Sequence, residues 1–165
     1  MRIREATLRD LPQGWAEDAF RNLRPRLWRA LLLYSGSGDV ASDAISEAFA
    51  QAMAARHEIR DPHGWIWTAA FKIAAGEMAR RPDHVEAKDF PMPDGMDPAS
   101  LMDLVDALGQ ISDMQRRALI LRHYMGYSNV EIARILGSTP SSIGVQLFRS
   151  TRKLRGLLSE EMESR

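Results

Sequence analysis

"SNVEIARILGSTPSSIGVQLFRSTRKLR", residues Ser128–Arg155, decides the fold. Ser128 with Glu131 three positions later is a capping box, the reciprocal pair of bonds that opens a helix. That helix runs only to Leu136, because Gly137 suits the position that ends one. Gly137, Ser138 and Thr139 then make a three-residue turn. Thr139-Pro140 caps a longer helix, since proline is tolerated at the first helical position. On it Ile143, Leu147, Ser150 and Leu154 share one face, leaving Ser141, Ser142, Gln146, Arg149 and Lys153 outside. Two helices across a short glycine-containing turn form a helix-turn-helix, whose second helix fits the DNA major groove. Ser141, Ser142 and Gln146 could reach base edges there, glutamine pairing bidentately with adenine. Arg149, Arg152 and Lys153 suit phosphates, which fix register without reading sequence.

Charge supports that reading once it is resolved along the chain. The formal net charge is +0. Between Arg116 and Arg155, however, eight arginines and lysines face one acid, Glu131, whereas Pro82 to Asp113 holds eight acids against Lys88. A basic block enclosing a helix-turn-helix is the footprint expected of a DNA-facing surface.

Outward from this block the pattern stays helical, with no strand alternation. Ser112 with Gln115 reads as a second capping box, its helix ended by Gly126; Asp97-Pro98 opens a helix bearing Leu101, Leu104, Val105 and Leu108. "RPDHVEAKDFPMPDGMDP" (Arg81–Pro98) holds four prolines and no apolar period, which makes it a polar, extended linker. Before it, Asp61-Pro62 opens a helix from about His63 to Arg81, and "ASDAISEAFAQAMAAR" carries an apolar stripe of Ala44, Ile45, Ala48, Phe49 and Ala52. "SGSGD" (Ser35–Asp39) reads as a loop. Trp15 to Tyr34 reads as helical, with Pro25 breaking it or starting a second helix. The expected fold is therefore all-α: two small helical domains, 1–81 and 99–165, joined by an acidic, proline-rich linker, 82–98.

Composition narrows the function. There is no cysteine, so disulfides, iron–sulfur clusters and cysteine zinc sites are excluded. His57, His63, His84 and His123 are scattered without metal-ligand spacing, and no phosphate loop of the Walker kind is present. No metal, cofactor or catalytic residue is expected, and the nine methionines read as core filler. The N-terminus lacks an apolar segment with a cleavage site, and no apolar run could span a bilayer; a cytoplasmic location is expected, without membrane insertion.

Ala107 to Leu158 resembles the C-terminal domain of bacterial RNA polymerase sigma factors of the extracytoplasmic-function group. Gln115, Arg116, Leu121, Arg122, Gly126, Ser128, Glu131, Ile132, Ala133, Leu136, Gly137, Ile143, Leu147, Arg149 and Leu154 carry the match. "ASDAISEAFAQAM" is similar to the family's helix that docks on the clamp helices of core polymerase. The resemblance implies that Asp43, Ser46, Glu47 and Phe49 bind polymerase. "DPHGWIWTAAFKIAAGEMARR" resembles the segment that recognises and opens the −10 promoter element. Trp67, Phe71, Lys72, Arg80 and Arg81 would carry that role, since unstacked bases can stack on aromatic faces. From the residues alone, Trp65 and Phe71 suit a core, and Trp67 either a core or a DNA contact. The resemblance further implies that the recognition helix reads the −35 element and that an anti-sigma factor is a partner. The chain departs from the family at Phe71-Lys72, usually Arg-Asn, at Gly76, usually Asp, and at Ser46, usually Gln. Gly144 and Gln146 stand where basic residues are typical. The competing reading is a stand-alone helix-turn-helix regulator that binds duplex operator without polymerase.

Overall fold

The computed structural model describes residues 15–55, 59–80 and 97–164. Arg81, His57, His84 and the expected linker up to residue 96 lie outside the described residues. Every regular element among the described residues is a helix.

Helix α1 (Trp15–Ser35) runs 21 residues with Pro25 inside it, so the break expected there is absent. Proline in a helix interior removes one hydrogen bond and costs ~3 kcal/mol. The chain on both sides of it is anchored, however. Phe20 and Leu23 pack on the core before it, and Leu27, Ala30 and Leu31 are fully buried after it. Each fully buried leucine contributes about 1.5–3 kcal/mol, which outweighs the proline. The loop expected at Ser35–Asp39 shrinks to two residues. Gly36 takes a left-handed φ of +72°, and Ser37 caps α2 (Gly38–Ala54) by accepting the Val40 N–H. The α2 stripe of Ala44, Ile45, Ala48, Phe49 and Ala52 is buried as the period requires. Helix α3 (Pro62–Arg80) opens with the Asp61 carboxylate accepting the Gly64 N–H at 3.1 Å.

Asp97 caps α4 (Pro98–Gly109), accepting from Ala99 and Ser100. Ser112 caps α5 (Asp113–Leu119) by accepting the Gln115 N–H at 3.4 Å, while the Gln115 side chain turns to the last helix instead of closing the expected box. Ile120–Tyr124 continues α5 as a π-helical turn that stops before Gly126 at φ +73°. Both halves of the Ser128–Glu131 box are formed at the start of α6 (Asn129–Leu136). Gly137 is left-handed, φ +64°, and Thr139 caps α7 (Pro140–Glu163). Helix α7 packs on α4, α5 and α6.

The two helical halves also pack on each other: α1 lies against α4 and the π turn, and α3 against α6, within one continuous core. At one place Arg116 and Arg117 stack over the Tyr34 ring, 5.2 and 5.6 Å from its centroid, and the Tyr34 hydroxyl donates to Asp113. Burial, with that carboxylate, pushes the Tyr34 hydroxyl above its ordinary pKa. At the other, Trp67 donates its indole N–H to the Tyr127 hydroxyl at 3.1 Å, and that hydroxyl meets His63 Nε2 at 2.7 Å. Arg26 donates to the Met125 carbonyl and Thr68 to the Ile135 carbonyl, tying α1 and α3 to loop and helix-end carbonyls of the C-terminal half.

Candidate nucleic-acid interface

The outward face of α7 follows from its period. Ile143, Leu147 and Ser150 are buried, and the Ser150 hydroxyl donates to the Gln146 carbonyl. Ser141, Val145, Phe148 and Arg152, spaced by four, three and four, therefore line the opposite side. Val145 is 49% exposed and Phe148 72% exposed. Ser142 and Arg149 flank this stripe in the open. Arg122, His123, Phe148, Arg152 and Arg155 line a groove between the π turn and α7. The surface is thus an apolar ridge edged by cations.

Gln146 and Lys153 sit elsewhere. Gln146 Oε1 accepts from Gln115 Nε2 at 3.1 Å, and Lys153 Nζ donates to the Gln110 carbonyl at 2.8 Å. Both point along the flank of α7 that meets the α4–α5 corner. A bidentate grip on adenine needs both ends of the amide, and one end of Gln146 is already engaged. Of the six residues singled out on this helix, Ser141, Ser142, Arg149 and Arg152 present outward together. Val145, on the outer face by its spacing, and Phe148 are not among the expected DNA contacts. Their signal was present in the sequence: apolar residues on the face opposite Ile143 and Leu147.

On α3, Trp67 and Phe71 are each 0% exposed. They lie 5.8 Å apart, tilted by 31°, with Tyr34 edge-on to Phe71 and Tyr127 edge-on to Trp67. In this closed arrangement neither aromatic face meets solvent, which corrects the expectation of Trp67 and Phe71 as exposed DNA contacts. Lys72 and Arg80 are exposed, and Arg80 pairs with Glu77 at 2.7 Å.

On α2, Asp43, Ser46 and Glu47 are exposed on the face away from the core. Ser46 donates its hydroxyl to the Ser42 carbonyl, and Glu47 accepts from Gln51 at 2.8 Å. Phe49 points the other way: it is 7% exposed and stands edge-on to Phe20 at 4.7 Å. Phe49 is core, then, and not a surface contact. Met53, at 48% exposed, lies on the outward side in its place. Among the described residues, no three His, Asp or Glu side chains gather as a metal site, and no helix is long and apolar enough to cross a membrane.

Residues 101–154 match the family model described as Sigma-70, region 4. The chain is 29% identical to the RNA polymerase sigma factor CarQ of Myxococcus xanthus over 164 residues, covering 92% of this chain and 94% of that protein. It is 26% identical to the ECF RNA polymerase sigma factor SigL of Mycobacterium tuberculosis, covering 81% of this chain and 83% of that one. The fold is shared with two solved structures. One is the sigma factor RpoE in complex with the anti-sigma factor NepR from Bartonella quintana, with a TM-score of 0.71, 22% identity, and coverage of 88% of this chain and 98% of that one. The other is CnrH in complex with the cytosolic domain of CnrY, with a TM-score of 0.74, 18% identity and 93% of both chains covered.

Proposed function

We propose that the chain is an RNA polymerase sigma factor of the extracytoplasmic-function group, which binds core polymerase and directs promoter-specific initiation. The observation that carries this is the pairing of a match to Sigma-70, region 4, at residues 101–154 with a likeness to CarQ that runs nearly end to end. A helix-turn-helix alone would serve any DNA-binding regulator; the N-terminal half distinguishes this one.

The mechanism is binding without bond chemistry. The exposed acids of α2, Asp43 and Glu47 with Ser46, offer a hydrogen-bonding face to polymerase. Lys72, Arg80 and Arg81 offer cations to the −10 region. The N-terminus of α7 enters the major groove at the −35 element. There Ser141 and Ser142 can bond base edges, and Val145 and Phe148 suit apolar contact with thymine methyl groups, which only the major groove displays. Arg149 and Arg152 hold phosphates. Residues 1–81 and 99–165 act as the polymerase-docking and −35-reading domains, with 82–98 as their tether. RpoE, whose fold the chain shares, was solved with the anti-sigma factor NepR, and an anti-sigma factor is proposed as a further partner of this chain.

Gel filtration of the full chain with core polymerase tests the reading. Co-elution, with promoter duplex retained only when polymerase is present, is expected. Tight binding to operator duplex alone, with no affinity for core, would instead identify a stand-alone regulator.

A further inference from the structure

We infer that neutral His63 is the latch between the two helical halves, and that its protonation opens the joint. The inference goes beyond the sigma-factor reading and does not depend on it.

One arrangement at the joint gives every hydrogen an acceptor. An indole N–H only donates, so the Tyr127 oxygen accepts from Trp67 Nε1 at 3.1 Å. The hydroxyl then has its own hydrogen to place, and His63 Nε2 stands 2.7 Å away. In that arrangement Tyr127 donates to a bare Nε2, and His63 is neutral with its proton on Nδ1. The ring edges close around this bond: His63 is edge-on to Tyr127 at 5.3 Å, and Tyr127 is edge-on to Trp67 at 6.0 Å. Each of the three side chains is held by the next across the seam between α3 and the segment before α6.

A proton on Nε2 removes that acceptor. The Tyr127 hydrogen then loses its acceptor at a half-buried site, and an imidazolium charge sits among aromatic edges. Losing that bond costs free energy to the extent that burial keeps water from replacing it. Four charged or titratable groups face the ring besides Trp67. Asp61, just before α3, and Glu131 on α6 favour the charged form, whereas Arg26 on α1 disfavours it. Tyr127 itself is held neutral, its hydroxyl raised above the ordinary value chiefly by burial. Burial is the largest influence on His63 and lowers its pKa below the ordinary 6.5. Other ties across the seam, Arg26 to the Met125 carbonyl, Thr68 to the Ile135 carbonyl, Arg116 to the Tyr34 carbonyl and the Tyr34 hydroxyl to Asp113, do not involve a histidine.

The sign follows. The closed form binds a proton less readily than the open form, in which His63 is solvated. Closure is therefore fully favoured above pH 6.5 and weakens as pH falls from there toward the depressed closed-state value. Opening takes Tyr127 off Trp67 and Arg117 off Phe71, while Tyr34 stays with Phe71 in the N-terminal half.

The chain has no cysteine, so Ala54→Cys on α2 and Ser159→Cys on α7 can be labelled with a dye pair in the full-length protein. Energy transfer should be flat from pH 8 to 7, then fall between about pH 6.5 and 5. The open-to-closed ratio should rise toward tenfold per pH unit, the limit for one proton. Far-UV circular dichroism should stay constant throughout. In the same labelled background His63→Gln, which keeps an acceptor but does not titrate, should remain closed to pH 5. Tyr127→Phe, which lacks the hydroxyl, should show less transfer at pH 8 and no further change below it. A wild-type chain that stays closed at pH 5, a His63→Gln chain that opens with the wild-type profile, or helix loss in step with the transfer change would each overturn the proposal.

Discussion

Val145 and Phe148 place apolar side chains along the outward face of α7, while Gln146, the amide expected to read a base, leans on Gln115. The difference is one of angle. Residue 146 lies well over 90° round the helix from the line through Ser141, Val145, Phe148 and Arg152, at 100° per residue. Sequence spacing alone separated inside from outside on this helix, but it did not say which outside residues a neighbouring helix would claim. Phe148→Ala should weaken binding to the preferred −35 element by about 1 kcal/mol and relax the preference at one thymine-bearing position. Gln146→Ala should change that preference less. Arg149→Ala should weaken binding to all duplexes alike and lower the slope of log affinity against log salt by about one unit. Fluorescence anisotropy over single-base variants at several salt concentrations, with polymerase present, reads all three.

Helix ends were the most legible feature, because a cap is written within four residues. Asp97, Ser112, Ser128 and Thr139 each accept from the backbone at the start of the helix assigned to them, and Gly126 and Gly137 take the left-handed conformation. What failed were features settled by packing across the molecule. Pro25 did not end α1, since Leu27, Ala30 and Leu31 bury beyond it. The π turn at Ile120–Tyr124 has no local signature, and the Gln115 side chain chose α7 over its own cap. The box at α6 gives a test at this scale. Ser128→Ala should destabilise the chain by about 0.5–2 kcal/mol. Hydrogen bonding from Ser128, its backbone N–H first, holds the Glu131 carboxyl below its ordinary 4.5. Glu131 thus contributes stability above pH 4.5 that is lost as pH falls through the depressed value. Urea midpoints between pH 6 and 3.5 should fall less steeply in Glu131→Gln than in the wild type.

At the scale of the whole molecule, the halves legible in the sequence share one core, and that sharing helps to hide Trp67 and Phe71. A sequence pattern can mark an apolar face as buried without naming what covers it; here Tyr127 and Arg117 of the C-terminal half do so, with Tyr34 of α1 edge-on to Phe71. The α2 face stays open in the same arrangement. Asp43→Lys with Glu47→Lys should therefore cut core polymerase binding at least tenfold in a pull-down. Folding stability should stay within roughly 0.5 kcal/mol of the wild type, as expected for exposed positions. Phe49→Ala should do the opposite, costing about 3–5 kcal/mol of stability through the cavity it leaves.

Run-off transcription from a pool of genomic promoter fragments shows whether this chain gives core polymerase its promoter specificity. With core enzyme and the full chain together, discrete transcripts should arise from a subset of fragments sharing a −35 and a −10 element, and core enzyme alone should yield none of them. An identical transcript pattern with and without the chain, or chain-dependent repression of a pattern that core enzyme and another sigma factor produce, would contradict it.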